Sequence, residues 1–182
     1  MDGIRLVSQA AEFAARHHAA QRRKGEAAEP YVNHLAEVAA LLAGCRSPSD
    51  AELVAAGWLH DTIEDVGVLP AQIEAMFGPR VRSIVCEVTD DKSLPKPERK
   101  LRQEQEAPHK SEDARLLKIA DKTSNLRALI LSPPATWELA RKIEYVTFAQ
   151  RVVAGCRGLS PWLESQFDEI AEQATRQFQK SV

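Results

Sequence analysis

The amino-acid sequence predicts an all-α protein, a compact helical bundle, on three observations. Apolar residues recur at three- and four-residue intervals along most of the chain, which gathers them on one face of successive helices. Prolines, glycines and capping residues interrupt those runs where helices must start and stop. Alternation of the kind a strand needs never lasts beyond a few residues, and there is no internal repeat or low-complexity tract.

The first helix runs from Ile4 to about Gln21, with Leu6, Ala10, Phe13, Ala14 and His17 near one face. Asn33 can cap a second that reaches Leu42, and Gly44 follows it as a stop. Ser49-Asp50-Ala51-Glu52 has the spacing of a capping box, in which Ser49 and Glu52 satisfy each other's free backbone donors. The helix opened there carries Leu53, Val54, Trp58 and Leu59 and should extend to about Glu64. Pro70 suits the first turn of a short helix that stops at Gly78. Pro79 opens the next, with Val81, Ile84, Val85 and Val88 at helical spacing. Thr89 to Pro97 reads as a loop, Glu98 to Glu106 as a charged helix, and Pro108 to about Glu112 as a second loop. A long helix from Asp113 to Leu131 is broken by Ser132-Pro133-Pro134. Another spans Trp137 to Cys156 and buries Ile143, Val146, Ala149 and Val153. Ser160-Pro161 caps a C-terminal helix over 161–180. Trp58, Trp137 and Trp162 keep helical spacing with other apolar residues, so core packing accounts for them; His17, His18 and His109 read as structural or surface residues.

At 182 residues the chain fits a single domain over 1–182 with a core of its own. Its 24 basic and 26 acidic residues leave a net charge of −2, which argues against a nucleic-acid backbone as the main partner. An anionic small molecule is compatible, because a local basic cluster can serve it. Charges interrupt every apolar run before ~18 residues, so no membrane span is expected. The start, Met1-Asp2-Gly3-Ile4-Arg5, lacks the pattern of a signal peptide. Cys45, Cys86 and Cys156 are odd in number and far apart, which predicts reduced thiols in a cytoplasmic protein. The sequence is silent on oligomeric state.

The chemistry concentrates in a few positions. His60-Asp61 ends a strongly apolar run, where a charged Asp is costly unless compensated, and a metal ion is one such partner. Glu64 and Asp65 follow His60 and Asp61 by four residues and fall on the same side of a helix-like turn. Asp121 interrupts another apolar run, Leu116 to Ala120, and His34 stands at the start of its own helix. Together His34, His60, Asp61 and Asp121 offer two nitrogens and two carboxylates. That set suits Mn²⁺, ahead of Fe²⁺, Mg²⁺ or Zn²⁺, with coordination positions left for water. A capped helix end with a solvated acidic cluster is the plain alternative.

H…HD…D in a helical chain resembles the HD superfamily of metal-dependent phosphohydrolases. More narrowly, the chain resembles the small alarmone hydrolases related to the hydrolase domain of Rel/SpoT enzymes. The matching stretches are Arg22-Arg23-Lys24-Gly25, Pro30 to His34, Leu59 to Asp65, Val88 to Lys92 and Lys118 to Leu126. They occur in the family's order within about 5–157. The resemblance implies cleavage of the 3′-pyrophosphate of (p)ppGpp, usually with Mn²⁺, by a stand-alone hydrolase. It implies that Glu64 and Asp65 orient or deprotonate the attacking water. It also implies that Arg23 and Lys24 contact the nucleotide, that Lys92, Lys96 and Arg99 meet the pyrophosphate, and that Asn125 and Tyr145 line the pocket. Taken without it, the basic residues read as solvated loops and Tyr145 as a core residue. The same site could instead serve (p)ppApp, a nicotinamide dinucleotide phosphate or a 5′-nucleotide. A domain that binds without turnover would lack a ligand or the Glu64-Asp65 pair, and neither is missing.

Overall fold

The computed structural model describes residues 2–179, and among them it contains ten α-helices and a single antiparallel bridge, Arg22 to Pro30. In chain order these are α1 (Gly3–His17), α2 (Val32–Gly44), α3 (Ala51–Leu59), α4 (Thr62–Val66) and α5 (Pro70–Phe77). There follow α6 (Pro79–Val88), α7 (Lys96–Glu106), α8 (Glu112–Leu131), α9 (Leu139–Ala154) and α10 (Pro161–Gln179). The all-α expectation holds, and position 180 of the expected last helix lies outside the described residues.

The centre of the bundle is α3. Leu53 to Gly57 and Leu59 are all buried, so this helix is apolar on every side, as a helix enclosed by others must be. It packs on α1 and α2 on one side and on α6 and α8 on the other. Gly57 is where α2 comes closest: a Cβ there would stand 2.7 Å from Leu42 Cδ1 and 3.2 Å from Ala39 Cα. The absent side chain lets α2 and α3 lie nearly in backbone contact. Helix α10 then closes the far side of α8.

Several boundaries differ from the sequence reading: α9 spans only Leu139–Ala154 of the expected Trp137 to Cys156, α7 begins at Lys96 inside the expected loop, and Gly44 belongs to α2. Helix α1 stops at His17, short of Gln21, because the next residue, His18, is buried and its Nδ1 engages Gln21 Oε1 at 2.5 Å. Asn33 lies inside α2, whose N-cap is Tyr31. The cap of α3 is Asp50, not Ser49: its Oδ1 accepts from the backbone N–H groups of Glu52 and Leu53 at 3.1 and 3.2 Å. Ser49 Oγ instead donates to Ala43 O. Asp50 prevails because Arg80 reaches the same carboxylate, with Nη2 2.5 Å from Oδ2, and a hydroxyl has no comparable partner. Finally, α3 does not run to Glu64. It ends at Leu59, where Thr62 Oγ1 takes the Leu59 carbonyl at 2.6 Å, and α4 begins as a separate turn that stops at Gly67 with φ 71°. Trp162 is also no core residue, being 45% exposed while its ring covers Gly44.

Candidate metal centre and adjoining pocket

Three helices bring four side chains to one point. His34 comes from the first turn of α2, His60 and Asp61 from the break between α3 and α4, and Asp121 from the middle of α8. His34 Nε2 lies 3.4 Å from Asp121 Oδ1 and 3.6 Å from Asp61 Oδ2. His60 Nε2 lies 3.0 Å from Asp61 Oδ2 and 3.9 Å from Asp121 Oδ1. Donor atoms of His34, His60 and Asp121 all fall within 4.8 Å of one another, close enough to share one cation.

The other ends of the imidazoles test whether a metal fits. His60 Nδ1 sits 2.8 Å from Gly57 O, a group that can only accept, so Nδ1 carries a hydrogen and Nε2 is the atom left to face a proton or a cation. That Nε2 is fully buried and has no aligned hydrogen-bond partner, although Asp61 stands beside it. Burial disfavours a charge here, yet Asp61 and Asp121 raise the imidazole to a pKa of about 9, and a cation can take the place of the proton that two carboxylates draw to this buried nitrogen. The donor set fits a divalent metal.

The acids are kept charged. Burial pushes the Asp61 carboxyl up, but His60 and His34 outweigh it and hold the group well below the usual range. Tyr31 Oη donates to Asp61 Oδ2 at 2.6 Å, and burial together with that carboxylate keeps the phenol protonated. Asp121 is likewise buried, yet Lys122, 2.9 Å from Oδ2, and His34 hold it far below the ordinary value. Asn125 Nδ2 donates to Asp121 Oδ1 at 2.6 Å, and Arg23 Nη2 donates to Asn125 Oδ1 at 3.0 Å. The expected pocket residue Asn125 therefore joins the basic loop to a metal donor.

Glu64 and Asp65 line a polar recess of about 230 Å³ with His60, Asp61 and Asp121. Burial pushes the Glu64 carboxyl above the ordinary glutamate range, and the charges of Asp90 and Asp61 act the same way. The Asp90 N–H, donating to Oε2 at 3.1 Å, and Lys92 oppose the rise. Asp65 is more exposed to help: Gln21 Nε2 donates to Oδ2 at 2.8 Å and Lys92 Nζ to Oδ1 at 2.7 Å. Lys92, which the resemblance sets against the pyrophosphate, has its ammonium on Asp65 in this structure and stands outside the cavity lining.

Beside the recess opens a cavity of about 450 Å³. The structure brings Arg23, Lys24, Lys96, Arg99, Asn125 and Tyr145 to its walls. Tyr145 is thus a pocket residue. Trp137, expected in the core, also lines the cavity, with the Arg141 guanidinium 4.4 Å from its ring centre. Lys100, Lys122, Gln21 and Tyr31 also line it, and sequence reasoning assigned none of them a role. Lys122 and Tyr31 stand next to or near the donors in motifs already singled out, which was the available signal. Burial, with Arg141, Lys100 and Lys24 close by, pushes the Lys96 amine below its usual value. Such crowding of cations suits a polyanionic guest.

The comparisons agree with this geometry. A profile described as HD domain matches residues 10–152. The guanosine-3′,5′-bis(diphosphate) 3′-pyrophosphohydrolase MESH1 of Xenopus tropicalis is 46% identical over 165 residues, 91% of this chain and 92% of that protein. The Homo sapiens counterpart is 44% identical over the same shares. A solved structure titled as a metazoan ortholog of SpoT that hydrolyses ppGpp superposes with TM-score 0.88 at 40% identity, covering 92% of this chain and 94% of that one. A Listeria monocytogenes structure superposes with TM-score 0.64 at 29% identity, covering 80% and 99%. The chain belongs to the HD domain family, in the branch occupied by these metazoan 3′-pyrophosphohydrolases.

Proposed function

We propose that this protein is a guanosine-3′,5′-bis(diphosphate) 3′-pyrophosphohydrolase, converting ppGpp to GDP and pppGpp to GTP with release of pyrophosphate. The observation that carries the reading is the buried Nε2 of His60 facing two carboxylates beside a cavity lined by several cations. His34, His60, Asp61 and Asp121 would hold the metal. Manganese is the choice we favour for two imidazoles with two carboxylates. When bound, the cation lowers the pKa of water and offsets charge on the phosphoryl oxygens.

The chain's own residues do the rest. Glu64, whose carboxyl is raised toward neutrality, accepts the proton of the attacking water. Asp65, fixed by Gln21 and Lys92, orients that water. Oxygen attacks the phosphorus bonded to the 3′-oxygen, that P–O bond breaks, and the 3′-oxygen leaves with a proton as the nucleoside hydroxyl. Lys96 and Arg99 meet the developing charge of the pyrophosphate. Arg23 stacks on the base, Lys24 pairs with phosphate, and Asn125 and Tyr145 shape the pocket around the nucleoside. One domain over 1–182 suffices for this chemistry. We place it in the cytoplasm, in keeping with three free cysteines and with no described helix long and apolar enough to cross a membrane.

Purified protein with Mn²⁺ should convert ppGpp to GDP and pyrophosphate, resolved by chromatography. Activity should vanish with chelator and return with Mn²⁺, and GTP and GDP should be left intact. Orthophosphate release from GTP at a comparable rate would overturn the mechanism. Cleavage of ppApp but not ppGpp would change the base and keep the chemistry.

A further inference from the structure

His34 differs from His60 in what holds its outer nitrogen. His60 Nδ1 meets a backbone carbonyl, which leaves no choice of tautomer. His34 Nδ1 meets the Ser124 hydroxyl, Oγ at 2.9 Å, and a hydroxyl can donate or accept. If Ser124 donated, His34 would carry its hydrogen on Nε2 and present no lone pair to the cation site. Something must settle the direction, and a third residue does. Ser124 Oγ also lies 2.5 Å from Glu37 Oε2, and a carboxylate oxygen only accepts. Serine has one hydrogen. It therefore goes to Glu37, the Ser124 lone pair faces His34 Nδ1–H, and His34 Nε2 is free to bind metal.

We propose that Ser124 and Glu37 are positioning residues that set the tautomer and ring orientation of His34, and through it the affinity of the metal centre. Ser124 is fully buried on α8, one turn from Asp121, whereas Glu37 stands on α2 with its side chain 33% exposed. Glu37 is held in turn: Arg127 Nη1 donates to its Oε1 at 3.0 Å, and Arg127 Nη2 donates to Gln166 Oε1 at 2.9 Å. The chain of contacts runs from the metal donor across α8 to α10, a helix beyond the residues 10–152 that the HD profile covers. Groups that hold the outer nitrogen of a ligating imidazole commonly govern metal affinity by about 10–100-fold. The inference rests on the proposed function only in taking His34 as a ligand.

The test uses the full chain, demetallated, with Mn²⁺ and a fluorescent chelator in competition and no nucleotide present. Ser124→Ala and Glu37→Ala should each weaken Mn²⁺ binding by about tenfold or more. The double variant should be no weaker than the worse single one, because both changes cut the same chain. Glu37 is half-exposed, so Glu37→Ala keeps the test open if Ser124→Ala does not fold. Binding within twofold of the parent in folded Glu37→Ala, or losses that simply add in the double variant, would overturn the proposal. Inactivity of the parent on ppGpp would leave this result standing, and failure of the relay would leave ppGpp hydrolysis standing.

Discussion

Glu64 and Asp65 are neighbours in the chain with different surroundings, and their difference predicts different defects. Glu64 is desolvated enough to raise its pKa, and a raised pKa makes its carboxylate a better proton acceptor. Asp65 is held by two donors, Gln21 and Lys92, which fix its direction. Glu64→Gln should lower kcat by about 10²–10⁴, the usual share of general-base catalysis, and leave bound metal unchanged by elemental analysis. The base works only when ionised, so a raised pKa puts the acid limb of the pH–rate profile above the ordinary glutamate range, with activity lost as pH falls through it. That limb should be gone in Glu64→Gln; a profile identical to the parent's would remove Glu64 from the proton transfer. Asp65→Asn should also cut kcat with metal retained. The two candidate acidic donors were legible because an acid inside an apolar run must be compensated, as at Asp61 and Asp121. Gln21 was not, since it acts on Asp65 across a separation of 44 residues, where spacing carries no signal, and Tyr31 offered only its place in the motif that ends at His34.

Helix α2 carries His34 and α3 leads directly into His60, and Gly57 sets the gap between the two helices. Alanine there would gain up to about 1 kcal/mol in helix propensity. It would also place a methyl group 2.7 Å from Leu42 Cδ1 and 3.2 Å from backbone at Ala39, and overpacking of that kind costs about 1–3 kcal/mol. Gly57→Ala should thus lower the urea midpoint and, by spreading His34 from His60, weaken Mn²⁺ binding. Parent-like values of both would show that the gap can widen freely. Most elements were readable from periodicity, and α5 and α6 begin at the prolines and stop near the residues the pattern named. The end of α3 was not, because Leu59 to Glu64 keeps helical spacing while Thr62 Oγ1 draws the Leu59 carbonyl away. The cap of α3 was misplaced for a related reason: Ser-x-x-Glu spacing is visible in sequence, and the approach of Arg80 to Asp50 is not.

At the scale of the molecule, the folded bundle assembles two buried carboxylates and two buried imidazoles that an unfolded chain would scatter. A cation that binds only the assembled form stabilises it by mass action, about 2.7 kcal/mol at a hundredfold excess over Kd. For a chain of this size that is roughly 5–10 °C in Tm. Mn²⁺ should raise the calorimetric midpoint of demetallated protein by that amount, and Asp121→Asn should abolish most of the shift. A midpoint indifferent to Mn²⁺ would deny a site specific to the folded state. The donors reach the centre on α2, α3 and α8, and α8 is itself covered by α10. A ribosome must therefore release the chain well past Asp121 before the four donors can meet around one cation. Nascent chains carry no fraction of the activity in proportion to their length.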